Sequence, residues 1–167
     1  MVGEARAVPL PSYLSYLLYQ TEQHRRSVAA ERVAKFGLTF PKWVAMVALA
    51  RFGACSMTRL ARLAATDRTT LTRSVDGLIR DGLAVRAASP TDRRIVFVSL
   101  TPAGEDLLVR IGEDLAPAHD ELYAALTDEE RANLSRYLKK MVTGLIDEPE
   151  WQQDVLAFNR KAEALTA

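Results

Sequence analysis

The sequence predicts a mainly α-helical protein that carries one small β-hairpin, and three observations lead there. Apolar residues recur at helical spacing through most of the 167 residues. Two short runs rich in β-branched residues, Leu83–Arg86 and Ile95–Leu100, flank a polar tip, Ser89-Pro-Thr-Asp-Arg-Arg94. Breakers and caps separate the periodic segments, at Gly37, Phe52-Gly53-Ala54, Gly82 and Thr101-Pro102.

The first element is a long helix over about Ser12 to Lys35, where Leu14, Leu17, Leu18, Val28 and Val33 lie among polar residues. Gly37 ends it. Pro41, tolerated in a first turn, opens a shorter helix to Arg51. Trp43, Val44, Met46, Val47 and Leu49 make that helix apolar nearly all round, so it belongs in the core. Ser56 caps the next helix, whose inward face is Met57, Leu60 and Leu63. Ala65-Thr66-Asp67 is the turn, with Thr66 or Asp67 as the following cap.

The helix from about Arg68 to Asp81 has two distinct faces. Leu71, Val75, Leu78 and Ile79 form one apolar stripe, while Thr69, Thr72, Arg73, Asp76 and Arg80 fall opposite. Gly82 supplies the left-handed residue that ends it. After the hairpin, Thr101-Pro102 opens a helix through Leu107, Leu108, Ile111 and Leu115, which Pro117 should kink or interrupt. Thr127-Asp-Glu-Glu130 starts another, with acids at its positive end. Leu134, Leu138, Met141, Val142 and Leu145 are its stripe, and Asp147-Glu-Pro149 stops it. A further short helix is expected between Glu150 and Ala162.

Composition narrows the class of protein. A hydrophobic fraction of 49% supplies an ample core, and the longest apolar runs, such as Val44–Ala50, are too short to cross a bilayer. The first residues lack a charged-then-apolar export pattern, and a single cysteine, Cys55, excludes an intramolecular disulfide. These features point to a reduced, cytoplasmic protein with no membrane partner. The net charge of +1 hides an asymmetry. Residues 1–54 hold seven Lys/Arg and three Asp/Glu, residues 55–100 eight and four, and residues 101–167 seven and fourteen. A basic front is balanced by an acidic rear. Polyanion binding needs a local positive surface, not a positive total.

Helix, turn, helix and basic hairpin together make a winged helix-turn-helix, which fits double-stranded DNA. A reading helix needs an apolar anchoring side, short hydrogen-bonding side chains near its N-terminus, and arginines. Thr69, Thr70, Thr72 and Arg73 meet that need, Arg73 by pairing with guanine through two hydrogen bonds. Arg68, in the first turn, suits a phosphate. Arg93 and Arg94 at the hairpin tip suit a minor groove, where narrow A·T tracts concentrate negative potential. Asp92 suits a charge-assisted pair with a tip arginine.

The stretch Thr69-Thr-Leu-Thr-Arg-Ser-Val-Asp-Gly-Leu-Ile-Arg-Asp-Gly-Leu83, with Asp92-Arg-Arg94 and Val98-Ser-Leu-Thr-Pro-Ala-Gly104, resembles the MarR family of winged-helix transcriptional regulators. The match is dense over about Met57 to Leu108. The resemblance implies one unit over 1–167, in which a winged helix-turn-helix lobe (38–100) sits with a helical dimerisation lobe (10–36 and 101–167). It implies an obligate homodimer, gripping a pseudo-palindromic operator, whose N- and C-terminal helices interlock. Residues Tyr13 to Lys35, Leu107 to Leu126 and Leu134 to Ile146 would form that interface. The segment from Glu150 onward exceeds the family's minimal pattern and is expected to pack against the base of the dimer.

The resemblance also implies a small aromatic or phenolic effector. Matching positions are Tyr13, Tyr16, Gln20, His24, Trp43, Met46 and Val47, although Trp43 and Met46 read more readily as core and the tyrosines as interface packing. Cys55 reads as a small buried hydrophobe rather than an oxidant sensor. His24, His119 and Cys55 lack metal-ligand spacing, and His119 beside Asp120 and Glu121 reads as a solvated helix end. There is no local Ser/His/Asp pattern and no phosphate-cradling glycine loop, so neither an enzyme nor a cofactor site is expected. Two other readings remain open at this level: a winged helix used for protein docking, and a small-ligand binder that regulates nothing.

Overall fold

The computed structural model describes residues 13–88 and 96–156. Its elements are α1 (Tyr13–Ala34), α2 (Phe40–Phe52), β1 (Cys55–Ser56), α3 (Met57–Leu63), α4 (Arg68–Arg80), β2 (Ala84–Ala88), β3 (Val96–Leu100), α5 (Pro102–Tyr123) and α6 (Asp128–Gly144). Residues 149–156 are again helical.

α2 sits at the centre because it has no polar face to turn outward. Trp43, Ala45, Met46, Ala48 and Leu49 are all buried, and the helix packs on α1, α3, α4, α5 and β3. Around it the core is closed by Val33 of α1, Leu60 of α3, Leu71, Val75 and Leu78 of α4, Val98 of β3 and Ile111 of α5. Arg32 fixes α1 to α5 by donating to the Asp114 carbonyl at 2.7 Å.

The three strands form one antiparallel sheet in the order β1-β3-β2. Ala84 pairs with Leu100 and Ala88 with Val96, while Cys55 pairs with Val98. β1 is an addition to the sequence reading, since a two-residue strand has no alternation to detect. β2 runs two residues further than predicted because Ala87 and Ala88, weak strand formers alone, pair with Phe97 and Val96.

Proline does not interrupt the first C-terminal helix, a correction to one expectation. α5 continues as helix through Pro117. Proline there removes only the N–H that would reach the Glu113 carbonyl, and Pro117 is exposed, so water can serve that oxygen. The helical stretch 149–156 lies against α3, where Arg59 pairs with Asp154, and Glu148 just before the stretch pairs with Arg62. Asp154 and Glu148 thus find arginines within the same chain.

The junction from sheet to α5 is the tightest point in the fold. Thr101 caps α5, its hydroxyl accepting from the Gly104 N–H at 3.1 Å and donating to the Gly82 carbonyl at 2.8 Å. Gly104 then lies so close to β2 that a Cβ would stand 2.1 Å from the Leu83 carbonyl oxygen. Backbone cannot yield as a flexible side chain would. Gly104→Ala should therefore lower stability by about 1–3 kcal/mol, the usual cost of overpacking, read as a lower denaturant midpoint. An unchanged midpoint would show that the junction can open to admit a methyl group.

Candidate nucleic-acid interface

α4 is built to be held on one side and presented on the other. Leu71, Ser74, Val75, Gly77 and Leu78 are buried, and Ser74 satisfies its hydroxyl by donating to the Thr70 carbonyl at 2.8 Å. Arg68, Thr69, Thr72, Arg73, Asp76 and Arg80 are exposed. Among the described residues, Arg68 and Arg73 make no ion pair. The result is a cationic and hydroxylic face on an apolar mount.

The N-terminus of this helix is set by Asp67 rather than Thr66. The Asp67 carboxylate accepts from the Thr70 N–H at 2.9 Å, while Thr66 turns its hydroxyl back to the Ala64 carbonyl. Hydrogen bonds from the Thr70 side chain and backbone hold the Asp67 carboxyl below the ordinary carboxylate range. A carboxyl with a depressed folded-state pKa stabilises above its unfolded value, and that contribution fades as pH falls through the folded one. Asp67→Asn keeps a capping oxygen but removes the titration. Its denaturant midpoint should approach that of the unaltered protein as pH falls through the acid range, and parallel curves would refute the linkage.

Two ion pairs tie α4 to its neighbours, and sequence reasoning found neither. Lys42 of α2 donates to Asp81 at the C-terminal end of α4, its side chain crossing over Gly77, where a Cβ would meet the lysine at 2.5 Å. Arg86 of β2 pairs with Asp76 at 2.7 Å, joining the wing to the helix. Both pairs bridge separate elements, so no helical spacing announces them.

Of the residues that the sequence singles out for DNA, Arg68, Thr69, Thr72 and Arg73 share the exposed face. Thr70 is half-buried and engaged with Asp67. The Thr72 hydroxyl donates to the Arg68 carbonyl at 2.8 Å, which leaves its methyl and oxygen lone pairs facing out. Arg93 and Arg94, with Asp92, lie outside the described residues.

The effector candidates are not gathered in one place. Tyr13 and Tyr16 stack on the exposed start of α1, with ring centroids 6.3 Å apart, and Gln20 is exposed further along. Trp43 and Met46 lie in the core, with Val47 half-buried beside them. His24 alone faces a cavity, about 480 Å³ between α1 and α5, which Val28, Leu115, His119 and Leu122 also line. His119, read from sequence as a solvated helix end, is thus brought to the same cavity as His24. Arg25 at its rim is forked onto Glu22 at 2.7 and 2.9 Å. Cys55 is fully buried and burial pushes its thiol pKa up, the opposite of a reactive thiolate.

Among the described residues, no group of His, Cys, Asp or Glu could hold a metal ion, and no helix is long and apolar enough to cross a membrane. The elements make a winged helix-turn-helix that presents one exposed face of α4, an architecture used by transcriptional regulators. Comparison with known proteins narrows this class. The MarR family model matches residues 36–95. The multiple antibiotic resistance protein MarR of Salmonella typhimurium is 30% identical over 133 residues, covering 77% of this chain and 90% of that protein. The fold superimposes with a TM-score of 0.68 on a crystal structure of a mutant MarR from E. coli complexed with operator DNA, at 26% identity over 77% of this chain and 92% of the other. It superimposes with a TM-score of 0.70 on Bordetella bronchiseptica BpsR, described with regulation of its DNA binding by 6-hydroxynicotinic acid, at 26% identity over 78% and 99%. The chain belongs to the MarR family of transcriptional regulators and is not an enzyme.

Proposed function

We propose that this regulator binds a pseudo-palindromic operator as a homodimer and represses transcription by occluding the promoter. The observation that carries the reading is the exposed face of α4, where Thr69, Thr72 and Arg73 project from a helix anchored by Leu71, Val75 and Leu78. Threonine methyls suit thymine methyls, Arg73 suits a guanine edge, and Arg68 suits a phosphate. Arg93 and Arg94 supply the minor-groove contact. Residues 38–100 act as the DNA-binding lobe, and residues 10–36 and 101–167 as the dimerisation lobe. The relative solved with operator DNA supports the same use of the fold here.

Retention of the chain's own upstream intergenic DNA, against a scrambled duplex of equal length, tests the reading. Binding that is strong, salt-dependent and selective supports it; equal retention of both duplexes would leave a docking module instead.

A ligand-responsive switch is the second half of the proposal. The α1–α5 cavity favours it, because two imidazoles beside Val28, Leu115 and Leu122 offer polar handles on apolar walls, suited to a small aromatic or phenolic anion. Both helices belong to the proposed dimerisation lobe, so a ligand there acts on the spacing of the two reading helices. It lowers operator affinity only as far as it prefers the non-binding spacing. A panel of aromatic acids and phenols in the same retention assay tests this half; operator affinity indifferent to all of them removes it.

A further inference from the structure

After α6 the chain turns back on itself. The Gln152 side-chain amide donates to the Ile146 carbonyl at 2.6 Å and to the Thr143 carbonyl at 3.3 Å. The helical stretch 149–156 is thereby set across α3, the first helix of the helix-turn-helix. Arg59 grips the Asp154 carboxylate with two bonds, from Nη2 at 2.7 Å and Nε at 3.2 Å. Arg62, one turn along the same side of α3, pairs with Glu148. Between the pairs, Trp151 and Glu150 close a shallow cleft against Ser56, Thr58 and Leu63.

The fork that holds a carboxylate by two parallel bonds holds a phosphate equally well. In helix-turn-helix proteins the first helix crosses the DNA backbone, and α3 is that helix. Both pairs stay open to water and salt, since the Arg59 and Arg62 side chains remain 46% and 47% exposed. The acidic rear of the chain thus lies on part of its basic front.

We infer that Arg59 and Arg62 form a second, sequence-independent surface for duplex phosphates, which the acidic segment 148–154 covers in the free protein and yields when DNA binds. The inference rests on the DNA-binding reading above. Exchange of carboxylate for phosphate has two consequences. The covered protein binds every duplex more weakly than its arginines allow. Its salt dependence is also shallow, because salt weakens the intrachain pairs and the phosphate contacts together.

The test compares full-length protein with the Glu148→Gln, Asp154→Asn double variant, titrating labelled operator at several salt concentrations. The amides preserve shape, and thermal unfolding verifies the fold. The variant should bind about tenfold tighter at low salt, from two exposed pairs released. Its plot of log affinity against log salt should steepen by about 2, close to one per arginine freed for phosphate. Adding Arg59→Gln and Arg62→Gln should cancel both gains, which a merely supportive strap would not predict. An unchanged slope, or weaker binding, in a protein that still distinguishes operator from scrambled duplex overturns this inference alone. Failure of the unaltered protein to distinguish them overturns the reading beneath it, and this inference with it.

Discussion

Arg73→Ala should bind its operator about 10–100-fold more weakly and lose most of its preference over a scrambled duplex. A good bidentate contact to guanine is worth about 1–3 kcal/mol of discrimination, and Arg73 is placed to make one. It projects from the exposed face of α4, makes no ion pair among the described residues, and stands on a turn fixed by buried Leu71 and Val75. The fold should survive, because the substitution touches no core residue and alanine favours helix. Arg68→Ala is the informative contrast. A phosphate contact carries no sequence information, so its loss should weaken operator and scrambled duplex equally and reduce the salt slope by about one. Competition titrations with both duplexes read the difference. An Arg73→Ala protein that keeps its ratio of operator to scrambled binding would remove α4 as the reading helix.

Such residues were visible in the sequence because they lie on one helix whose period is fixed. Leu71, Val75 and Leu78 recur at the helical repeat, and that repeat forces Thr69, Thr72 and Arg73 to the other side. α2 declared its burial in the same way, by having no polar face. Features that depend on contacts distant in sequence left no local trace. Lys42 meets Asp81 and Arg86 meets Asp76 only because helix and wing have already packed. His24 and His119 meet at one cavity for the same reason. The turn before α4 hid a different feature, since Ala65 takes a left-handed φ of 45° where glycine would have announced it. The fold of the acidic segment was hidden too, because Asp154 and Arg59 are 95 positions apart. Periodicity tells which face a residue takes, and says nothing about what will come to meet it.

Leu138→Asp should have the larger effect on DNA, weakening operator binding by about 10²–10⁴-fold without altering the reading helix. α6 contributes no buried residue to the protomer, yet Leu134, Tyr137, Leu138, Met141 and Val142 are each between 37% and 54% exposed, with Leu145 at 82%. The first turns of α1 repeat the pattern with Tyr13, Leu14, Tyr16 and Leu17. A run of large apolar side chains on two helices is far more than scattered surface leucines, and such a surface suits a covering partner. If a second copy of the chain is that partner, two-fold symmetry sets the reading helices one duplex turn apart, about 34–36 Å. The second half-site is then bound at the high effective concentration that linkage provides, and this is the factor lost on separation. A carboxylate at the centre of the seam would be buried without a partner in the dimer but solvated in the monomer, so it acts on assembly before it acts on the fold. Light scattering should find the unaltered protein at twice the protomer mass and the variant at one. Where a lone protomer cannot stay folded, the thermal midpoint of the unaltered protein must itself rise with concentration. An unaltered protein that is monomeric, with a midpoint independent of concentration, would leave these apolar faces without the partner assigned to them.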